Sequence, residues 1–348
     1  MSPHAMHNRI PWIAAALIVA SAALAQAPTP SPTPILLTPV RGDSSFTPTP
    51  ITLTPVPAPT PPAASPVSGI RNKIAAGDLL SAESILAVYR EGHGEDIRYC
   101  QGLGWLARGA LLLGDHEKAR RYVKDLRARC ADSLANGARF EDDSDLPVVL
   151  GAAIEVDAQL IQREKGAAAA AAALKADLDR LQGPVSLRSR VNKRLNMISL
   201  AGTRAPELEV DDWIGTKPPT LASLQGKPVL LFLWAEWCGD CRAQAASLAV
   251  IKSRHKAEGL EVVALSRYYE KTAEKRPAEK ARADSVWKAD YSRIGPIPMV
   301  LSTASMERYG GSSTPTFVFV DRKGIVRDYT PTRLTELEFE LRLASILK

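Results

Sequence analysis

Two cysteines separated by two residues, in Ala235-Glu-Trp-Cys238-Gly-Asp-Cys241-Arg-Ala-Gln244, are the part of this sequence best suited to chemistry. They follow an apolar run and open a helical pattern. A pair so placed can cycle between dithiol and disulfide, because the nucleophile in disulfide exchange is the thiolate and a helix start offers free N–H groups and a positive dipole end to stabilise it. Cys238 is therefore expected to attack and to be the more exposed thiol. Cys241, one helical turn on and on the same face, is expected to release the resulting mixed disulfide. Zinc would need a second pair of ligands, and neither Cys100 with Cys130 nor the five histidines supply that spacing, so no metal and no cofactor is expected.

Three neighbours modulate this pair: Gly239 and Asp240 between the sulfurs, and Glu236 just before them. A carboxylate between the sulfurs disfavours a thiolate, which stabilises the disulfide and makes a better reductant; Arg242 acts in the opposite sense.

The elements that must hold the pair are legible around it. Pro228–Trp234 is a nearly continuous apolar run, the pattern of a central strand buried on both faces, and a helical pattern continues from the cysteines to about His255. Further apolar strands are expected near 260–266, 298–301 and 316–320, with helical patterns between them. Gly311-Ser-Ser-Thr314-Pro315-Thr316 precedes the last of these, and Asp321-Arg-Lys-Gly324 turns the chain after it. Proline directly before a strand is a place where a cis bond can hold a turn.

From Ala205 to Lys348 the chain resembles the thioredoxin superfamily, within it the TlpA/ResA-like exported thiol–disulfide oxidoreductases. The resemblance rests on Ala205-Pro-Glu-Leu208, Leu221-Ala-Ser-Leu-Gln-Gly-Lys-Pro-Val229, Trp234-Ala-Glu-Trp-Cys-Gly-Asp-Cys241 and Ser313-Thr-Pro-Thr-Phe-Val318. It implies an α/β thioredoxin fold over 202–348, a mixed central sheet flanked by helices. It also implies Cys238 as nucleophile, Cys241 as resolving thiol, Trp237 as a flank of the substrate groove, and Pro315 as a cis-proline whose neighbour Thr314 pairs with substrate backbone. Partners would be protein thiols and disulfides and an upstream thiol reductant, soluble or membrane-bound.

Several positions depart from that pattern. Asp240 stands where many relatives have proline, Gln244 where this branch tends to have a buried glutamate, and Ala246 where a helix-kinking proline is expected. Phe232 occupies the place of thioredoxin's buried aspartate, so no carboxylate sits where the family's proton acceptor would be. Glu236 and Asp240 are the nearest candidates and read as solvated. A peroxidase of the peroxiredoxin type would need threonine at Ala235. The alternative outside enzymology is a helical adaptor whose thioredoxin-like domain binds partners without turnover.

The remaining chain divides into three parts. One arginine, Arg9, precedes an apolar run that ends in Ala23-Leu24-Ala25, so residues 1–25 read as a secretory signal and the protein as exported and periplasmic; a retained segment would instead tether it to a membrane. Residues 26–68 form a linker rich in proline and threonine that cannot build a core. Residues 69–200 read as an all-α domain of helical hairpins of tetratricopeptide type, a candidate surface for a protein partner. Its turn signals are Gly77-Asp78, Gly114-Asp115 and Gly166, each with an alanine five residues after the glycine: Ala82, Ala119 and Ala171. The alanine run 167–173 reads as helix filler with little to pack.

Cys100 and Cys130 flank the Gly114 turn nearly symmetrically, which predicts a structural disulfide across an antiparallel hairpin. The net charge of +6 is mild, and the densest basic stretch, Arg188–Arg194, reads as a solvated helix face, so no nucleic-acid partner is expected.

Overall fold

The computed structural model describes residues 65–348 apart from 182 and 271. The expected signal segment and most of the expected linker lie outside the described residues. Among those residues no helix is long and apolar enough to cross a membrane.

Helices come first: α1 (Val67–Ala75), α2 (Leu79–His93), α3 (Ile97–Leu112), α4 (His116–Ala135), α5 (Leu146–Arg180) and α6 (Val185–Ser199). The first helix thus begins two residues before the expected boundary at 69. Aspartate side chains cap three of the helices, where Asp78, Asp96 and Asp115 accept the N–H of Ser81, Tyr99 and Lys118. Each such cap is worth about 1 kcal/mol. The two Gly-Asp signals fall between α1 and α2 and between α3 and α4, and Ala82 and Ala119 are fully buried there.

The third turn lies inside α5, where Gly166 leaves helical geometry at φ 85° and ψ 173°. A straight helix would separate Asp157 from Asp177 by about 30 Å. Both carboxylates instead pair with Arg127, so the chain reverses at Gly166 and makes a third hairpin. No aspartate caps this turn, and the buried alanine is Ala170 rather than Ala171. The alanine run is therefore part of the core at one position, a correction to its reading as filler.

The rest of the chain forms one six-stranded mixed sheet: β1 (Asp212–Ile214), β2 (Val229–Leu233), β3 (Glu261–Ser266), β4 (Met299–Leu301), β5 (Thr316–Val320) and β6 (Val326–Thr330), in the order β1-β4-β3-β2-β5-β6. Its helices are α7 (Gly239–Ala243), α8 (Ala245–Arg254), α9 (Arg276–Asp290), α10 (Thr303–Arg308) and α11 (Glu336–Leu343). Strands β2, β3 and β4 run parallel, while β5 runs antiparallel to β2 with Leu231 opposite Val318. All five residues of β2 are buried. Alternate residues feed two cores: Leu230 and Phe232 face one with α8, α9 and α11, and Val229, Leu231 and Leu233 face the other with α10.

Helix α6 joins the two parts. Leu187 and Val191 complete the helical core, whereas Arg188 pairs with Glu307 of α10 at 2.6 Å and the Asn196 amide donates to the Arg308 carbonyl at 3.0 Å. The approach is close enough that a β-carbon at Gly310 would collide with the backbone of Lys193, and Gly310 also holds φ +69°. The basic stretch Arg188–Arg194 is thus not a solvated face. Its charges turn inward because Glu155 and Glu307 wait there, and Arg190 and Lys193 reach Glu155 at 2.7 and 3.5 Å.

Candidate functional site

Strand β2 ends at Leu233, four residues run on as Trp234-Ala-Glu-Trp237, and Cys238 caps α7. The Cys238 sulfur accepts the Cys241 N–H at 3.1 Å. That is the free N–H group that supports a thiolate at a helix start. Cys238 and Cys241 are joined as a disulfide with α-carbons 5.3 Å apart. Cys238 is 4 % exposed and Cys241 0 %, so the remaining access to the pair is through Cys238.

The helix carrying the pair breaks at Gln244 into α7 and α8 without the proline that the resemblance led one to expect. Gln244 is buried, and its amide is spent on the backbone: it donates to the Leu334 carbonyl at 2.9 Å and accepts the Leu334 N–H at 2.5 Å. The segment before α11 is thereby fixed close to Cys241, three residues before Gln244.

Across from the pair, the Thr314–Pro315 peptide bond is cis. The Thr314 carbonyl oxygen lies 3.4 Å from the Cys238 sulfur. In the disulfide that sulfur has no hydrogen to donate; in the dithiol it does. Trp237 is 62 % exposed and meets Tyr269 edge-on at 5.6 Å.

The two nearby carboxylates differ in setting. Asp240 is solvated as expected, with 64 % of its side chain exposed and Arg333 at 3.3 Å. Glu236 is not: its side chain is 16 % exposed, one oxygen meets Arg282 at 3.2 Å, and the other is buried without a hydrogen-bond partner. The packing of α9 against the loop after β2 covers it. Gly239 lies between the sulfurs with open space where a β-carbon would be. Arg242 pairs with Asp290 at 2.9 Å and donates to the Glu236 carbonyl at 2.6 Å.

The expected Cys100–Cys130 disulfide is not formed. Both are free, buried thiols in the helical core. Burial raises the Cys100 thiol, and burial followed by the proximity of Cys100 pushes Cys130 up to about 12. The hairpin does bring the two together, but as small apolar side chains in a packed interior.

A cavity of about 600 Å³ opens beside the pair and was not foreseen from the sequence. One wall is Trp237, Tyr269 and Arg267, the other is Ser186, Ser189, Arg190 and Lys193 of α6, and the Gly311–Thr314 loop connects them. The signal for Arg267 and Tyr269 was available: they follow β3 directly, and ligands of parallel sheets gather outside the carboxyl ends of the strands.

Residues 201–329 match the model of the AhpC/TSA family. The "Thioredoxin-like protein YneN" of Bacillus subtilis is 30% identical over 142 residues, covering 41% of this chain and 78% of that protein. The "Thiol-disulfide oxidoreductase ResA" of the same organism is 25% identical over 135 residues, covering 39% of this chain and 69% of that protein. Among solved structures, a putative thiol:disulfide interchange protein DsbE from Chlorobium tepidum is similar with 20% identity and a TM-score of 0.35, covering 42% of this chain and 98% of that one.

Proposed function

Because this chain belongs to the thioredoxin-like family of thiol–disulfide oxidoreductases, we propose that it is exported and serves as a reductant of protein disulfides, recharged by an upstream thiol reductant. The observation that carries the reading is the Cys238 sulfur held by the Cys241 N–H beside the Thr314 carbonyl. In the dithiol state the Cys238 thiolate attacks one sulfur of a substrate disulfide, and the other substrate sulfur leaves and takes a proton. Cys241, deprotonated, then attacks the Cys238 sulfur of the mixed disulfide. The second substrate thiolate departs and is protonated, and the protein is left as the Cys238–Cys241 disulfide. Two electrons pass to the substrate.

In this reading Trp237 flanks the docked substrate, and Thr314, ahead of Pro315, offers it backbone hydrogen bonds. Asp240 supports the reductant direction because a carboxylate between the sulfurs disfavours the thiolate form. Its exposure and its pairing with Arg333 weaken that field. The potential is therefore expected nearer that of thioredoxin, about −270 mV, than that of a strong oxidant at about −120 mV. Export rests on the apolar run before Ala25 and on the oxidising compartment in which such a reductant meets disulfides. The helical part is proposed as a surface for a protein partner.

Reduction of insulin with dithiothreitol as donor tests the activity. Wild-type protein accelerates it and Cys238→Ser does not; an adaptor without turnover would leave the rate unchanged. The AhpC/TSA match raises peroxide as a second substrate. Ala235 offers no hydroxyl three residues before Cys238, so consumption of hydrogen peroxide is expected to stay at the level of Cys238→Ser.

A further inference from the structure

The cavity beside the disulfide is lined by cations that have too few carboxylates to answer them. On the α6 wall, Arg190 and Lys193 share Glu155 with Arg108, three cations around one carboxylate. Lys193 also reaches the Ser313 hydroxyl at 3.3 Å, on the loop that leads to Thr314. On the opposite wall stands Arg267, while the nearby Glu236 and Glu270 carboxylates pair with Arg282. Its guanidinium lies over the Tyr269 ring at 4.4 Å, and its Nε is buried with no hydrogen-bond partner. Tyr269 in turn meets Trp237 edge-on, so a continuous Arg267–Tyr269–Trp237 wall runs from the unanswered charge to the flank of Cys238.

With its Nε buried, Arg267 faces the cavity with its terminal N–H groups, and a carboxylate is the acceptor that a guanidinium binds most strongly. Serine hydroxyls at 186, 189, 312 and 313 supply further hydrogen-bonding groups around it. The volume, about 600 Å³, is in the range that holds a small ligand or a short stretch of peptide.

We propose that this cavity binds carboxylate side chains flanking the target disulfide, so that the substrates are acidic protein segments. This rests on the reductant reading above and adds a substrate class to it. The α6 wall with Lys193 lies outside residues 201–329 and Arg267 lies within them, so both the helical part and the redox domain contribute to the selectivity. Arg267 and Lys193 act as specificity-determining residues: they attract and orient the segment, and the sulfur chemistry stays with Cys238 and Cys241.

The test uses the full chain, reduced beforehand and freed of reductant, and two short peptides with an internal disulfide. They share one sequence, except that glutamates next to the cysteines in the first are glutamines in the second. The second-order rate of protein oxidation is followed for each at low and high salt. An acidic peptide that reacts at least about tenfold faster at low salt, with the ratio shrinking as salt is added, is the expected result. The ratio should fall toward one in Arg267→Gln and in Lys193→Gln, each checked for native circular dichroism. Equal rates for the two peptides with wild-type protein overturn the proposal while leaving the reductant reading intact. A ratio that persists in both variants overturns the assignment to this cavity. Failure of both peptides to oxidise the protein overturns the reductant reading itself, and the substrate class with it.

Discussion

The side-chain amide of Gln244 grips the backbone of Leu334 with both of its ends, donating to the carbonyl and accepting the N–H. The resemblance pointed to a buried glutamate here, with a role in moving protons; this chain has a neutral clamp. A carboxylate could reproduce only half of it. In Q244E the Leu334 carbonyl loses its donor unless the new carboxyl is protonated, so stability is favoured below the ordinary glutamate range and lost as pH rises through the raised pKa. The gap in Tm between wild type and Q244E should therefore narrow as pH falls from 8 to 4. Gln244→Ala should cost about 1–3 kcal/mol at every pH in that range, because two buried backbone groups are left unpaired.

Gly310 is where the helical part rests on the loop that leads to Thr314. Ala at this position meets the Lys193 backbone and must also adopt φ +69°. Gly310→Ala is expected to destabilise the protein by at least about 2 kcal/mol. Gly92, near the end of α2 with open space around it, is the control: Gly92→Ala should be neutral or stabilising by up to about 1 kcal/mol. Urea denaturation of the two variants reads the difference.

Glu155 is a largely buried carboxylate of the helical part that three cations share. Burial opposes its ionisation, but Arg190, Lys193 and Arg108 overcome this and hold it at about 2. A carboxylate depressed in the folded state contributes stability above its ordinary value of 4.5, and loses it as pH falls through about 2. Acid titration of wild-type stability should show that loss. Glu155→Gln should remove it and cost about 3–5 kcal/mol at neutral pH, since the cations remain without their partner.

Cys130 gives the opposite slope at the alkaline end. Its thiol is raised from 9.0 to about 12, so stability is unaffected below about 9 and falls as pH rises from there through 12. Native protein should leave Cys100 and Cys130 unlabelled by alkylating agents at pH 8, and denatured protein should label both. Cys130→Ala should flatten the alkaline loss.

The redox pair and its scaffold were legible because their signals are local. The apolar run before Cys238 could only be a central strand, and β2 to β5 fall within a residue or two of the expected positions. Strand β1, three residues at the sheet edge, has too little apolar pattern to be read. Charge placement was the harder matter. Arg188–Arg194 has the composition of a solvated face, and only the arrival of Glu155 and Glu307 from distant segments turns it inward. Cys100 and Cys130 show the limit of symmetry about a turn: the hairpin forms, and the bond does not.

The proposed division of labour, attack by Cys238 and resolution by Cys241, can be read from trapped adducts: reduced Cys241→Ser and reduced Cys238→Ser are mixed with a peptide disulfide, quenched with acid, and their covalent adducts mapped by mass spectrometry. Cys241→Ser should accumulate a mixed disulfide at Cys238, while Cys238→Ser, whose remaining thiol is fully buried, should form little or none. An adduct at Cys241 in preference to Cys238, or no adduct in either variant, would contradict the assignment.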